Sequence, residues 1–330
     1  YNKYIGIIGG TGTIGSIIVK YLLQLQTHFH VLIGGRRSIK EISMSTFYNS
    51  ERLKYNQMNY NNDVELDNFC SQCLLVINAV GPSFKINDKI ALHALRNNCH
   101  YIDIGGYGIL RDLLKPYEKS IEAQKLCFII GVGWMPGISG VFSKTIIETH
   151  LNSPENTNFN IYYGAVDNWS YSSTYDLAAS SMGKTRSYVY SHGKEIQVSP
   201  FRYTHHKFFP FIGHKKICMP SFDEQLTQLA TSLKQIRKIS TFIMLNDYIS
   251  MGKFMFIKIF YKHNLNKATL MLQDDYQRLV KKENKWGSVI CQVSKIEPER
   301  KIDTFYYLYT KNNLLYTALP AVITLSLIHI

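Results

Sequence analysis

Gly10, Gly12 and Gly15 follow the spacing Gly-x-Gly-x-x-Gly, and the run Ile5 to Ile8 precedes them. Glycines in that pattern can bring backbone N–H groups against a phosphate. Gly10 permits a tight turn, Gly12 lets the chain approach a pyrophosphate, and Gly15 lets the next helix pack close. Ile14, Ile17, Ile18, Tyr21, Leu22 and Leu25 recur at helical spacing, which predicts a helix from Thr13. Its first N–H groups and its dipole would both favour an anion. The short β-branched run before the glycines reads as a strand buried on both faces of a parallel sheet. The competing reading is a bare glycine-rich turn in another α/β protein.

A second cluster names the cofactor more closely. "HVLIGG" reads as the next strand and closes at Arg36-Arg37. A site for NAD would carry an acid there, to bond the ribose 2′-hydroxyl. Two arginines and no carboxylate suit a 2′-phosphate instead. NADP(H) is therefore the expected cofactor. The bland alternative is a pair of solvated strand-end arginines.

These groups need elements to hold them, and the chain supplies an α/β rhythm. "LKYNQMN", "LLVINAVGPS", "HYIDIGG" and "LCFIIGVG" read as strands. "VELDNFC", "NDKIALHALRNN" and "KPYEKSIEAQK" read as helices between them. "PGISGVFSKTIIETHL" reads as a helix with Pro136 in its first turn. Alternation of this kind predicts a doubly wound parallel sheet, a Rossmann domain over residues 1–150. The texture then changes. "NFNIYYGAV", "TRSYVYSHGKEIQV" and "GSVICQVSKI" are strand-like, with "SHGK" a hairpin turn. "DEQLTQLATSLKQI" is an amphipathic helix with Asp223 as its expected N-cap. Residues 151–312 are thus expected to form an α+β domain of mainly antiparallel sheet. "NNLLYTALPAVIT" resumes helical spacing, so 313–330 is expected to pack back on the first domain.

Composition limits the remaining possibilities. The chain has 330 residues, 45% of them hydrophobic and 18% charged, with a formal net charge of +13. That length can bury a sizeable core. The basic residues are scattered and no nucleic-acid motif accompanies them, so no nucleic-acid partner is expected. The excess charge suits an anionic cofactor and a carboxylate-bearing substrate. The six cysteines lie in apolar runs, as reduced buried thiols do, and a cytoplasmic location is expected. Cys70-x-x-Cys73 lacks a second pair at zinc spacing, and no metal site is expected. His205, His206 and His214 read as loop residues. No membrane span is expected, because Pro320 interrupts the longest apolar stretch. Tyr1 in place of Met is the expectation for a fragment. Leu325 to Ile330 resemble translated sequencing-adapter sequence and are expected to pack poorly.

The motifs "GGTGTIG", "GGRR", "VINAVGP", "YIDIGG" and "GWMPGISG" occur in this order. As a set they resemble the saccharopine dehydrogenase-like oxidoreductases over about residues 4–145, and "YTA" near the end resembles the closing helix of that family. The resemblance implies that Gly10, Thr11, Gly12, Thr13 and Ile14 hold the pyrophosphate. It implies Arg36, with Arg37 beside it, at the 2′-phosphate. Asn78, Ala79, Val80 and Gly81 would pass the ribose side. Asp103 and the loop Gly133 to Pro136 would lie near the nicotinamide. The implied chemistry is hydride transfer between nicotinamide and an imine or secondary amine. Such a reaction asks the protein for position and proton control rather than for a nucleophile. Asp103 and Asp176 are candidate proton-handling groups, with Tyr175 beside Asp176. Lys184 and Arg186 are candidate carboxylate clamps.

Each candidate has a structural alternative: a turn cap at Asp103, core packing at Tyr175, a solvated strand at Arg186. The family's substrate pattern is not found in "WSYSSTYDLAASSMGKTRSY". A carbonyl or enoyl reductase on the same fold, or a non-catalytic NADP(H)-binding regulator, would share the first domain. No Tyr-x-x-x-Lys pair follows the fourth strand; Tyr117 and Lys119 have the wrong spacing. A homodimer is compatible with the sequence.

Overall fold

The computed structural model describes residues 4–25, 29–38, 50–106, 108–150, 154–183, 187–222 and 224–328. Two compact units emerge, 1–138 with 314–330, and 139–313. The helix over Ile138–His150, expected to close the first domain, falls from Ser139 onward in the second unit.

In the first unit, strands β1 (Tyr4–Ile8), β2 (Val31–Gly35), β3 (Leu53–Gln57), β4 (Cys73–Asn78), β5 (His100–Asp103) and β6 (Phe128–Ile130) form one sheet. Its order is β3-β2-β1-β4-β5-β6, and every described pairing is parallel. That is the Rossmann order, as the α/β rhythm predicts. Helices α1 (Thr13–Gln24), α2 (Asp63–Cys70), α3 (Ser83–Ile86), α4 (Lys89–Arg96), α5 (Gly108–Leu114) and α6 (Glu118–Ala123) connect the strands.

Both faces of the sheet are covered. On one, Ile5, Ile7, Val31, Ile33, Leu75 and Ile77 pack with Ile18, Val19 and Leu22 of α1. On the other, Ile8, Leu32, Val76 and Tyr101 pack with residues of α2, α4 and α5. The reversal of strand order between β1 and β4 opens a crevice at the strands' C-terminal ends, where ligands of such sheets bind.

The second unit holds α7 (Ile138–His150), β7 (Thr157–Val166), α8 (Tyr171–Gly183), β8 (Ser187–Ser191), β9 (Lys194–Val198) and α9 (Pro200–Tyr203). It continues through β10 (His205–Phe209), β11 (His214–Pro220), α10 (Glu224–Ser232), β12 (Lys238–Leu245), α11 (Tyr248–Phe260), α12 (Leu265–Lys282), β13 (Trp286–Ile296) and β14 (Lys301–Thr310). Its sheet runs β10-β11-β12-β7-β13-β14, with β8 joined to β12 and β9 to β8. Only β12 with β7 is parallel among the described pairs, so the sheet is mainly antiparallel as expected. His192 and Gly193, both at positive φ, make the turn between β8 and β9.

Three readings need correction. His205, His206 and His214 are strand residues of β10 and β11, not loop residues. Pro136 lies ahead of α7, which starts at Ile138 after Gly137 at φ +128°. The helix α13 (Asn313–Ile323), with Pro320 inside it, forms where the spacing predicts. The tail is not poorly packed throughout: Leu325 and Ile328 are buried in the first unit's core beside Ala318, Ala321 and Val322. Leu327, on the other side of the short 3₁₀ turn Thr324–Ile328, is 65% exposed. Asp223, 329 and 330 lie outside the described residues.

Candidate functional site

The glycine turn joins β1 to α1 at the centre of the first sheet. The tight turn falls on Gly9, at φ +84°, and not on Gly10. Gly9 donates to the Gly34 carbonyl at 2.8 Å and accepts from Gly12 N–H at 2.9 Å. A side chain at Gly9 would meet the Ala79 backbone at 3.0 Å. Gly10 is constrained by packing instead, since a Cβ there would lie 2.8 Å from Ile33. At Gly15 a Cβ would lie 2.2 Å from the Gly9 carbonyl oxygen, so this glycine sets the close approach of helix and strand. A Cβ at Gly12 would meet only the Gly9 oxygen, at 3.1 Å, and otherwise faces open space.

Gly12 is the N-cap of α1 and offers no side-chain cap, and no acid occupies the first turn. The helix therefore presents its first N–H groups and partial positive charge uncompensated. Thr13 is exposed, while Thr11 and Ile14 are half-buried. The Ile14 side chain packs on the core, leaving only its backbone to the turn.

Beyond β2, the backbone of Gly35 to Arg37 is tied down. The Tyr55 hydroxyl lies 2.9 Å from the Gly35 carbonyl oxygen and 2.5 Å from that of Arg37. The Gln57 amide donates to the Arg36 carbonyl at 3.3 Å. Arg36 and Arg37 are both exposed, and neither guanidinium pairs with an acid among the described residues. A fixed backbone with free cationic heads fits a phosphate at this edge.

At the end of β4, Asn78 is 2% exposed and turns the chain by accepting from Val80 N–H at 3.0 Å. Ala79 packs toward one sheet face and Val80 toward the other. The segment through Gly81 thus presents mainly backbone along the crevice. Asp103 is the register partner of Asn78 on β5 and is also 2% exposed. Its Oδ2 accepts from Asn78 Nδ2 at 2.8 Å and from the Tyr101 hydroxyl at 2.5 Å. Its Oδ1 accepts from Gly106 N–H at 2.7 Å. Burial pushes the Asp103 carboxyl above its ordinary range, although these bonds and one from Gly105 N–H oppose it. The two side chains line a small recess with Ser83, Phe84, Asn87 and Gly106.

After β6, Trp134 meets the ring of Tyr316 edge-on at 5.8 Å. Tyr316 begins the "YTA" of α13, so the closing helix braces this loop.

The first unit thus gathers the glycine turn, both arginines, Asn78 to Gly81 and Asp103 at the C-terminal ends of its strands. Tyr175 and Asp176 are buried in α8 of the second unit. Lys184 and Arg186 lie outside the described residues. Among the described residues no group of three metal-ligating side chains stands together. Cys70, Cys73, Cys99, Cys218 and Cys291 are buried thiols and Cys127 is half-buried. Burial pushes Cys218 and Cys291 up to about 12, so these thiols are inert near neutrality.

Three site residues escape a reading of the sequence alone. Gly9 is hidden because the fingerprint counts from Gly10. Tyr55 and Gln57 sit on a neighbouring strand, and only the β2–β3 register brings them to the arginine loop. Tyr101 could have been found, since Tyr101-x-Asp103 on one strand puts both side chains on one face.

The saccharopine dehydrogenase NADP-binding domain matches residues 5–127. The matched stretch begins in β1 and ends just before β6, so it is the first sheet's region that is similar to an NADP-binding domain. Among solved structures it is similar to apo saccharopine dehydrogenase (L-Glu forming) from Saccharomyces cerevisiae. That likeness has a TM-score of 0.66 and 14% identity, over 99% of this chain and 91% of the yeast chain. It is a likeness of fold across both units. A DAP dehydrogenase from C. glutamicum, in complex with DAP, matches more distantly. Its TM-score is 0.47 and its identity 10%, over 96% of this chain and 86% of that one. No curated protein matches at a significant level of sequence similarity. Among the described residues no helix is long and apolar enough to cross a membrane.

The residues present fit the cofactor that this family implies. An uncapped helix start and an open Gly12 offer donors that suit a pyrophosphate, and Arg36 and Arg37, paired with no acid among the described residues, offer cations that suit a 2′-phosphate.

Proposed function

We propose that the protein is an oxidoreductase that moves hydride between NADP(H) and an imine or secondary amine of an amino-acid-like, carboxylate-bearing substrate. The observation that carries this reading is the open Gly12–α1 start together with Arg36-Arg37 at the end of β2, where Gly34 to Arg37 carry no acid. Gly10, Thr11, Gly12, Thr13, Ile14 and Gly15 form the pyrophosphate cradle, with backbone N–H groups as donors. Arg36 and Arg37 take the 2′-phosphate. The backbone of Asn78, Ala79, Val80 and Gly81 passes the ribose. When bound, the cofactor supplies the hydride chemistry.

Asp103 serves here as a positioning residue. Both its oxygens are occupied, and through them it fixes Asn78, Tyr101 and the Gly105-Gly106 turn. Asp176, with Tyr175, is then the candidate for proton handling, and Lys184 and Arg186 are the candidates for holding the substrate carboxylate. The imine chemistry is taken from the family resemblance.

The test is NADPH oxidation followed with three substrate sets: an amino acid with an aldehyde or 2-oxo acid, a simple ketone, and an enone. Turnover that requires both an amine and a carbonyl is the expected result. Turnover of ketone or enone alone would favour a carbonyl or enoyl reductase. NADPH binding without turnover of any set would favour a regulator.

A further inference from the structure

Helix α11 presents an apolar side to solvent. Ser250, Phe254 and Ile257 form its buried side. On the opposite side Tyr248, Ile249, Gly252, Phe256, Ile259 and Phe260 are exposed. At about 3.6 residues per turn these positions fall within an arc of about 120°, and none of them carries a charge. The large side chains among them are 40% to 66% exposed. The outer face of a helix on a globular protein is ordinarily polar. A contiguous exposed apolar patch marks a surface that another apolar body covers.

The patch continues onto the neighbouring hairpin. The Tyr248 hydroxyl and His206 Nε2 of β10 share a hydrogen bond of 2.9 Å. Phe208, two residues on and so on the same side of that strand, is also exposed. Its register partner on β11 is the exposed Lys215.

The rim of the patch is cationic. From Tyr248 to Gln273 the sequence carries Lys253, Lys258, Lys262, His263 and Lys267, and no acid. Lys262, His263 and Lys267, between the end of α11 and the first turn of α12, are exposed. Lys253 is met by Asp274 at 2.6 Å. Among the described residues no acid pairs with Lys258, Lys262 or Lys267.

Length and charge together select the occupant. α11 has 13 residues, about 20 Å of helix, against about 30 Å of bilayer hydrocarbon. It can lie in a bilayer surface but cannot cross it. A second copy of the chain would cover the apolar arc, yet it would set the same cationic rim against this one, and like charges oppose association. An anionic bilayer offers both things that the surface lacks, hydrocarbon for the arc and negative headgroups for the rim.

We propose that α11, with Phe208 beside it, docks the second unit on an anionic phospholipid surface. Ile249, Phe256, Ile259 and Phe260 enter the acyl boundary, while Lys215, Lys262 and Lys267 meet the headgroups. The inference is independent of the cofactor site and of the reaction proposed above.

The test is flotation of the full chain with vesicles of equimolar phosphatidylcholine and phosphatidylserine and, separately, of phosphatidylcholine alone. The wild type floats with the mixed vesicles and partitions roughly tenfold or more weakly onto the neutral ones, because both the apolar and the charged contacts are needed. Ile259→Ser,Phe260→Ser, with an unchanged circular dichroism spectrum, loses flotation with the mixed vesicles. Gly252→Asp places a charge in the middle of the arc, where an added Cβ meets nothing within 4 Å. It loses flotation similarly and stands in if the double variant does not fold. Absence of wild-type flotation with the mixed vesicles, equal flotation with both kinds, or wild-type flotation in both variants overturns the proposal. Sedimentation velocity without vesicles is expected to show the same oligomeric state for wild type and variants. A wild-type dimer that either variant splits would assign the face to a second copy and overturn the proposal as well.

Discussion

Each glycine of the turn has a different duty, and mutation separates them. At Gly15 an added Cβ meets a carbonyl oxygen at 2.2 Å, with no flexible side chain to yield. Gly15→Ala is expected to destabilise the protein by about 1–3 kcal/mol, as overpacking does, measured by denaturant unfolding. Gly12→Val fills space that the fold leaves open. It is expected to keep the unfolding midpoint nearly unchanged while removing NADPH fluorescence enhancement, and a folded variant that still binds would contradict the cradle. The Asp103 cluster gives a test through pH. Its carboxyl is raised by burial, so the folded state holds the proton more tightly than the unfolded state. Its contribution is fully present below the ordinary value of 3.8 and is lost as pH rises through the raised one. Asp103→Asn should therefore gain stability relative to wild type across that interval. Asp103→Ala strands the Tyr101, Asn78 and Gly106 donors and should lose about 1–3 kcal/mol. Equal pH dependence in wild type and Asp103→Asn would show that Asp103 is not the titrating group. At this scale the sequence displays glycine spacing and the missing acid plainly. It does not display Gly9's conformation or Asp103's partners, which depend on neighbouring strands.

At the scale of elements, legibility follows the ordinary patterns of burial. The first sheet's strands are apolar and its helices amphipathic, so their alternation is read directly. The stretch from Ile239 to Phe260 is harder. β12 is buried along nearly its whole length and shows no alternation, and α11 is apolar on its exposed side as well, at Ile249, Ile259 and Phe260. The one punctuation mark is Asp247, whose side chain caps α11 by accepting from Ser250 N–H at 2.8 Å. β10 is concealed for the opposite reason, because His205 and Lys207 share the inward side with Phe209 and disguise the strand as a basic loop. The C-terminal turn makes a sharp prediction. Leu325 is 6% exposed in the core and Leu327 is 65% exposed. Leu325→Ala should cost about 2–5 kcal/mol, and Leu327→Ala should stay within about 0.5 kcal/mol. Comparable losses at both positions in thermal unfolding would mean that the turn packs otherwise.

Over the whole molecule, residues 5–127 match the saccharopine dehydrogenase NADP-binding domain, and the likeness in fold to the yeast enzyme covers 99% of the chain. The chain's excess of +13 favours anionic ligands at either unit. Domain texture was legible because βαβ rhythm gives way to strand-rich sequence near residue 150. The boundary itself was not, since α7 continues the same helical period whichever unit it packs on. The account rests most heavily on Arg36 and Arg37, whose backbone Tyr55 and Gln57 hold and whose guanidinium groups pair with no acid among the described residues. Its most direct test is parallel titration of wild type and Arg36→Ala,Arg37→Ala with NADPH and NADH. A charge-assisted bond contributes about 1.5–3 kcal/mol, so the double variant should bind NADPH roughly tenfold or more weakly while its NADH affinity barely moves. Equal affinity of the wild type for both cofactors, or equal losses for both in the variant, would contradict the account.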